Sequence, residues 1–438
     1  MTAFSGAARL VLPVSLVVAT LLGGALAGPA SAADRATPPS SRSAAAPGSL
    51  TGYAFDTCSA PPQAVMDAWW LASPYSAVGV YIGGSNRLCQ DQPELSAGWV
   101  RTQQKRGWHV LSLYVGPQAS CSGYAERMSS DLATAEQQGR AAAADAFAIA
   151  QGLGLRKGST LYYDLEDYDI APDDCRRAAL SFLSGWTEAL HAKHYRSGVY
   201  SNIAAAITSL DLADRLDPGA YTMPDDIWFA WANGRADTRT DDRVQSDEWD
   251  DHQRIHQYRT DLTQAYGGYA LTIDQNWADV GRGSVAPRAK QLCKGVDVDL
   301  RRYPTLKAGA RGPAVEAAQC LLRRNGFSKA PINARYDART AAAVRKAQDK
   351  LDEKVTGTLT RPTWTALFAR GTQPVLKVGS TGEQVRRLQR SLTASGRRTT
   401  VDGVFSKRTA KAVVRHQRKA GLPATGVVTP EVWESLLG

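Results

Sequence analysis

Apolar residues follow two different spacings along this chain. From about residue 51 to 285, short apolar runs alternate with longer stretches in which apolar residues recur at helical spacing. The eight short runs are rich in β-branched and aromatic residues, which predicts strands at 52–57, 77–84, 109–116, 160–167, 196–202, 226–232, 254–260 and 270–278. Helical spacing is clearest at 133–152 and 173–194.

Eight strand–helix units in one region predict the α/β class and a (β/α)8 TIM-like barrel over 51–285. A doubly wound open sheet is the alternative, but no Gly-rich phosphate loop supports it. The interval between the last two strands is short, so we do not expect a helix after every strand.

The last third of the chain is an internal duplication with helical spacing. Residues 306–322 align with 376–392 at an offset of 70, and residues 333–348 align with 402–417 at an offset of 69. Each copy has room for three short helices, and we expect Thr429, which precedes Pro430, to be the N-cap of the last one. We therefore predict two small three-helix all-α domains, at 305–371 and 373–438, after a linker at 286–304.

The pattern shared by the two copies resembles the peptidoglycan-binding domain type 1. The second copy carries the characteristic residues Asp402, Gly403, Phe405, Thr409, Gln417 and Trp433. The first copy departs from the pattern at Asn333, Ala334 and Tyr336. The resemblance implies that the tail binds peptidoglycan.

Four acidic residues lie on the predicted strands of the barrel: Asp56, Asp164, Glu166 and Asp274. Alternate residues of a strand face the same side, so Asp164 and Glu166 should project together. The first and eighth strands are neighbours in a closed barrel, so we expect all four carboxylates around one mouth. Crowded carboxylates separate their pKa values, and glycoside hydrolysis requires one protonated and one ionised carboxyl group. A structural pair that caps loops is the alternative for Asp164 and Glu166.

Aromatic residues gather near the ends of the same strands. Sugar rings stack on such side chains, so five of them are candidate substrate-binding residues: Tyr81, Tyr114, Trp231, Tyr258 and Trp277. Tyr53 belongs to the same group by position. For each one taken singly, a place in the barrel core is the alternative.

Residues 51–281 resemble the glycoside hydrolase-like domain of unknown function 1906, a relative of the family 25 lysozymes. The resemblance rests on the segments GYAFDTC, VYIGG, YYDLED, GVYSN and WFAWANG. It implies muramidase chemistry, with Glu166 as the general acid and Asp164 as an orienting or stabilising group. By the same resemblance, Asp56 and Asp274 line the cleft.

The N-terminus has the features of an export signal. Residues 1–32 combine one basic residue, an apolar stretch and a small-residue cleavage site, and residues 33–50 form an Ala/Pro/Ser-rich flexible linker. An uncleaved anchor is the alternative. An even number of cysteines in an exported chain indicates disulfides, and six cysteines allow 15 pairings. Positions after neighbouring strands favour Cys58–Cys89 and Cys121–Cys175, and the remaining pair, Cys293–Cys320, would tie the linker to the next helix.

Positive charge is concentrated in the tail. The formal net charge of the chain is +10, and the two repeats are strongly basic. In an exported chain this favours an anionic cell-wall polymer as partner over nucleic acid. We expect no cofactor and no metal site, because there is no CxxC and the histidines do not pair at ligand spacing.

These features predict a monomeric, secreted, wall-associated glycoside hydrolase that cleaves the glycan strands of peptidoglycan. It would have no stable membrane insertion after signal cleavage. The alternative is an inactive barrel that holds sugars in a cell-wall-binding protein. An amidase is disfavoured, since the sequence offers no metal set and no Ser or Cys nucleophile with a partnered His.

Overall fold

The computed structural model describes residues 44–438, so the predicted signal peptide and most of the predicted linker 33–50 lie outside the described residues. Eight strands close into a barrel in sequence order, as predicted. They are β1 (Leu50–Asp56), β2 (Ala77–Gly83), β3 (His109–Tyr114), β4 (Thr160–Asp164), β5 (Arg196–Asn202), β6 (Asp226–Ala230), β7 (Gln253–Tyr266) and β8 (Tyr269–Val280). The end of the predicted linker packs on the barrel, where Ala46 is buried and its carbonyl accepts a hydrogen bond from Thr160 N at 2.8 Å.

Helices cover the barrel between its first strands. They are α1 (Gln63–Ala72), α2 (Ala97–Arg106), α3 (Leu132–Gly152), α4 (Asp173–Ala192) and α5 (Thr208–Leu216), and a π-helical turn at Ile203–Ile207 precedes α5. Strand alternation sends Tyr162 and Trp228 into the barrel interior, while Phe55 and Tyr163 face the helices. No helix in residues 44–438 is long and apolar enough to cross a bilayer.

The last strand departs from the regular (β/α)8 pattern. Only Gly267 and Gly268 separate β7 from β8, both with positive φ (58° and 86°), which is the geometry of a two-residue hairpin turn. A parallel crossover needs a dozen or more residues, so β8 runs antiparallel to both β7 and β1. The outer face of this part of the barrel therefore has no helix of its own.

The second repeat covers that face. Tyr53, Tyr258 and Trp277 point outward from β1, β7 and β8 and share a buried apolar cluster with residues of the second repeat, among them Leu376 and Phe405. Burial of large aromatic surfaces is strongly favourable, so the repeat is docked on the barrel and contributes to its outer layer.

Lys377 fastens the second repeat to the barrel. Its ammonium group donates hydrogen bonds to the carbonyls of Trp70, Ser73 and Tyr75, and it lies 4.2 Å from the centroid of the Trp70 ring. These carbonyls lie at and just after the C-terminus of α1, where a cation is favoured. The equivalent residue of the first repeat, Lys307, is exposed.

Each repeat contains three helices, as predicted. They are α6 (Pro313–Arg324), α7 (Ala338–Lys350) and α8 (Arg361–Ala369) in the first, and α9 (Glu383–Ala394), α10 (Lys407–Lys419) and α11 (Pro430–Leu437) in the second. A buried glutamine has the same role in both, because Gln319 and Gln389 donate to Asn333 Oδ1 and Asp402 Oδ1, each at 2.8 Å. Asn333 therefore replaces the motif aspartate without loss of this contact.

The segment 286–304 is irregular but closely attached. Cys293 forms a disulfide with Cys320 of α6, and Asp299 forms an ion pair with Arg390 of α9. Pro304 accepts a hydrogen bond from Trp364 Nε1 at 2.8 Å. The segment thus connects the barrel to both repeats through fixed contacts.

Candidate functional site

A cleft of about 730 Å³ opens where the parallel strands of the barrel end. Its lining includes all four predicted carboxylates, namely Asp56, Asp164, Glu166 and Asp274. Asp56 and Asp274 are register partners on the antiparallel strands β1 and β8. Three distant parts of the chain therefore bring their acidic side chains to one opening.

Asp56 is buried and surrounded by hydrogen-bond donors. Asn276 Nδ2 donates to its Oδ2 at 2.6 Å, Gln257 Nε2 donates to the same oxygen at 3.2 Å, and the Tyr81 hydroxyl lies 3.4 Å from Oδ1. Gln257 also donates to Asp274 Oδ2 at 3.3 Å. These contacts favour the ionised form of both carboxylates.

Two aromatic residues determine how these amides are oriented. Trp228 donates its indole N–H to Asn276 Oδ1 at 2.7 Å, and Tyr200 donates its hydroxyl to Gln257 Oε1 at 2.9 Å. An amide whose oxygen is already occupied by a donor must turn its NH2 group the other way. Both NH2 groups consequently point at the carboxylates.

Asp164 has a different environment. Its side chain is buried, and Oδ1 meets no hydrogen-bond donor among the residues that the structure describes. A buried carboxylate without donors or cations is strongly disfavoured relative to its neutral form. Three of the carboxylates are thus divided by their partners: amide groups donate to the side chains of Asp56 and Asp274, and within residues 44–438 no amide donates to Oδ1 of Asp164.

The position of Glu166 differs from the sequence expectation. We predicted that Asp164 and Glu166 share one face of a strand, but β4 ends at Asp164 and Glu166 lies in the loop that follows. The buried amide of Gln118 spans this loop, since its Nε2 donates to Asp164 O at 2.9 Å and its Oε1 accepts from Glu166 N at 2.8 Å. Gln118, and not strand alternation, therefore aims Glu166 at the cleft.

Burial is the largest cause of the altered pKa values in the cleft. It raises the pKa of Asp56 to about 7, with a further contribution from the charge of Asp274 and opposition from the Asn276, Gln257 and Tyr81 hydrogen bonds. Burial and then the charge of Glu166 raise the pKa of Asp164 well above its usual value. Burial, followed by the charges of Asp167 and Asp274, also raises the pKa of Glu166. At least one carboxyl group can therefore retain a proton near neutral pH.

Two disulfide-tethered loops form part of the cleft rim. The bonds Cys58–Cys89 and Cys121–Cys175 are both present as predicted. Leu88, which is 90% exposed, directly precedes Cys89 in the sequence. Tyr124, which is 39% exposed, follows Cys121 in the other loop. Both side chains line the cleft. Sequence analysis missed both residues because they lie in loops. Their closeness to cysteines was the signal that could have indicated them.

Only one of the five candidate substrate-binding aromatics lies in the cleft. Tyr81 lines it, whereas the Tyr114 hydroxyl donates to Asp145 of α3 at 2.8 Å. In β3 the residues Leu111 and Leu113 face inward, so Tyr114 must face the helices. The expectation that Tyr114 is a substrate-binding residue of the cleft is therefore wrong.

The other three candidates also lie away from the cleft. Trp231 is covered by the guanidinium groups of Arg235 and Arg243, at 5.3 and 4.8 Å from its ring. Tyr258 and Trp277 are buried against the second repeat. Trp231 directly follows β6, whereas Tyr258 and Trp277 lie within β7 and β8 and not at their ends. All three face outward by strand alternation, and the second repeat covers Tyr258 and Trp277 in place of an outer helix.

No group of three or more His, Cys, Asp or Glu side chains in the described part of the chain is arranged to hold a metal ion. The side chains that line the cleft include carboxyl, amide and phenol groups. Carboxyl groups in two protonation states can donate a proton on one side of a substrate and stabilise positive charge on the other.

Comparison with protein families gives two matches along this chain. Residues 67–278 match the model described as "Rv2525c-like, glycoside hydrolase-like domain". Residues 311–367 and 381–436 each match the model described as "Putative peptidoglycan binding domain". The first match lies within the barrel, and the other two coincide with the repeats.

Individual relatives are distant. The chain is 27% identical over 166 residues to a "Probable N-acetylmuramoyl-L-alanine amidase" of Bacillus licheniformis, a match that spans 34% of this chain and 47% of that relative. Among solved structures, the Tat-secreted protein Rv2525c of Mycobacterium tuberculosis, in complex with L-tartrate, is 16% identical, with 52% of this chain and 95% of that chain covered and a TM-score of 0.36. A family 25 glycosyl hydrolase from Bacillus anthracis is 15% identical, with 52% and 89% covered and a TM-score of 0.33.

The order of the matched segments agrees with the architecture, in which a closed eight-stranded barrel precedes two three-helix units. The chain consists of an Rv2525c-like glycoside hydrolase-like domain followed by two domains of the peptidoglycan binding family.

Proposed function

We propose that this protein is a secreted hydrolase that cleaves the glycan strands of peptidoglycan. The observation that carries the proposal is the set of four carboxylates around one cleft, three of which are divided by their hydrogen-bond partners. The family of the barrel and that of the two following domains support a polysaccharide of the cell wall as the substrate.

Glu166 is the proposed general acid. It is partly buried at the cleft, and burial raises its pKa. In the reaction, Glu166 gives its proton to the glycosidic oxygen as the bond from that oxygen to the anomeric carbon breaks. The oxygen of a water molecule then bonds to the anomeric carbon, and the proton that this water loses passes to an ionised carboxylate.

Asp56 and Asp274 are the proposed ionised partners. The amides of Asn276 and Gln257 support their negative charge, which would stabilise the positive charge that develops on the sugar ring. Asp164 meets no donor at Oδ1, so we infer that it stays protonated and orients the substrate by donating a hydrogen bond.

The test uses the full purified chain and isolated cell walls. We expect wild-type protein to release reducing ends, and Glu166→Gln to abolish this release because the amide has no proton to transfer. The control is Glu126→Gln, which changes an exposed glutamate on a neighbouring loop of the cleft.

The readout separates three outcomes. Release of amino groups without reducing ends would assign cleavage of the peptide stem, as the name of the B. licheniformis relative describes for that protein. If the protein binds walls but releases neither reducing ends nor amino groups at any pH tested, it is an inactive wall-binding protein. Either result contradicts the proposed glycosidase.

A further inference from the structure

A second groove, of about 770 Å³, lies between the barrel and the second repeat. It shares no lining residue with the carboxylate cleft, and no aspartate or glutamate lines it. The barrel side includes the aromatic residues Tyr53, Tyr258 and Tyr266 together with Arg259. The other side is formed largely by α10.

Helix α10 presents a row of cations to this groove. Lys407, Lys411, Arg415 and Arg418 all line it, at positions i, i+4, i+8 and i+11 of the helix. At 1.5 Å of rise per residue, neighbouring charges in the row are spaced by about 4.5–6 Å along the helix axis. Arg259 adds a fifth cation from the opposite wall. Lys377 also lines the groove, but its ammonium group is already bound to the backbone carbonyls of the barrel.

Most of these cations have no anionic partner in the part of the chain that the structure describes. Lys411, Arg415, Arg418 and Arg259 are exposed, and none forms a salt bridge with a carboxylate within residues 44–438. Lys407 differs, because it lies 3.5 Å from the Trp277 ring centroid, donates to the Ala236 carbonyl and is influenced by the charge of Asp237. Lys407 therefore belongs to the docking contact, and the other four are available to a ligand.

The first repeat provides an internal comparison. At the offset of 69, the four positions of the α10 row correspond to Ala338, Ala342, Lys346 and Asp349 in α7. The fold of the repeat therefore does not require the row. It occurs in the repeat that packs against the barrel, where a groove forms beside it.

We propose that this groove binds a linear anionic polymer of the cell wall, built of sugar or polyol units that carry phosphate or carboxylate groups. Arginine and lysine would pair with the repeated anions, and the tyrosines opposite would contact the uncharged units. The wall setting rests on the proposed function, but the charge and shape of the groove do not. Binding here would hold the barrel beside its substrate and add to the affinity of the two peptidoglycan binding domains.

The experiment measures binding of purified polymers to the full chain by calorimetry, without any assay of hydrolysis. Poly(glycerol phosphate) and polygalacturonate represent the two anion types, and dextran is the neutral control. We expect Lys411→Ala/Arg415→Ala/Arg418→Ala to weaken binding of the preferred polyanion by about tenfold or more, and increasing salt to weaken wild-type binding.

The matched control removes three charges from the first repeat. Arg339→Ala/Arg345→Ala/Lys346→Ala changes exposed residues of α7, and we expect binding to stay within about twofold of wild type. Thermal unfolding checks that both variants are folded. Equal weakening by the two variants, unchanged binding in the α10 variant, or no binding of either polyanion by wild type would overturn the proposal. Loss of hydrolysis in Glu166→Gln would not affect this result.

Discussion

The side-chain amide of Asn276 donates a hydrogen bond to Oδ2 of Asp56 at 2.6 Å, and the indole of Trp228 keeps that amide in this orientation. We expect Asn276→Asp to raise the pKa of Asp56 above about 7, because a second carboxylate would replace the donor. The acidic limb of the pH–activity profile should move to higher pH. Gln151→Glu adds the same charge at an exposed position of α3 and should leave the profile unchanged.

Asp56 should also make stability depend on pH. Its pKa is about 7 in the folded protein and about 3.9 in an unfolded chain, so the folded state binds the proton more tightly. Its contribution to stability is complete below about pH 4 and is lost as the pH rises to about 7. The free energy of unfolding of wild type should therefore fall relative to Asp56→Asn over this interval, by at most about 4 kcal/mol.

Thermal and urea unfolding between pH 4 and 8 would measure this difference. Asp251→Asn, at an exposed position, is the control and should follow the wild-type curve. A constant difference between wild type and Asp56→Asn across the whole range would contradict the raised pKa.

Tyr124 should contribute to substrate affinity from the cleft rim. We expect Tyr124→Ala to raise KM for wall fragments by about tenfold with a smaller effect on kcat, because the ring would stack on a sugar that does not react. Tyr269→Ala removes a tyrosine of similar exposure, 42% against 39%, at the tip of the β7–β8 hairpin. A similar rise in KM for both variants would contradict a specific role for Tyr124.

Lys377 should decide whether the second repeat stays docked. Lys377→Met leaves the carbonyls of Trp70, Ser73 and Tyr75 without this donor, and we expect a loss of about 2–4 kcal/mol in the free energy of unfolding. Lys307→Met changes the exposed equivalent in the first repeat and should alter stability by less than about 0.5 kcal/mol. Calorimetry measures the stability, and limited proteolysis between the barrel and the repeats reports undocking.

Docking also affects how wall binding should be tested. Deletion of residues 373–438 would remove the second repeat and uncover Tyr53, Tyr258 and Trp277, because no barrel helix covers them. We expect the truncated chain to aggregate, as measured by light scattering, since such aromatic patches rarely remain exposed. A soluble, stable truncated barrel would show that the cover is dispensable. The α10 charge variant is for this reason the cleaner test of polymer binding.

The sequence by itself determined the periodic features of this protein. The eight strands follow from local apolar spacing, and the two three-helix units follow from the internal repetition. The positions of the cysteines left 15 pairings open but favoured the three that the structure contains. Asp56 was assigned to the mouth correctly because position at a strand end predicts position in a barrel.

Tertiary structure decided the direction and the partners of the side chains. Whether Tyr81 or Tyr114 enters the cleft depends on the parity of each strand within the closed barrel, and Glu166 is aimed by Gln118, 48 residues away. Because β8 follows β7 in an antiparallel hairpin, no helix connects the two strands, and the outer face of the barrel stays open there. The second repeat packs on that face and is fastened by Lys377. Such contacts join residues far apart in sequence, and their energies depend on burial and geometry that exist only after the chain has folded.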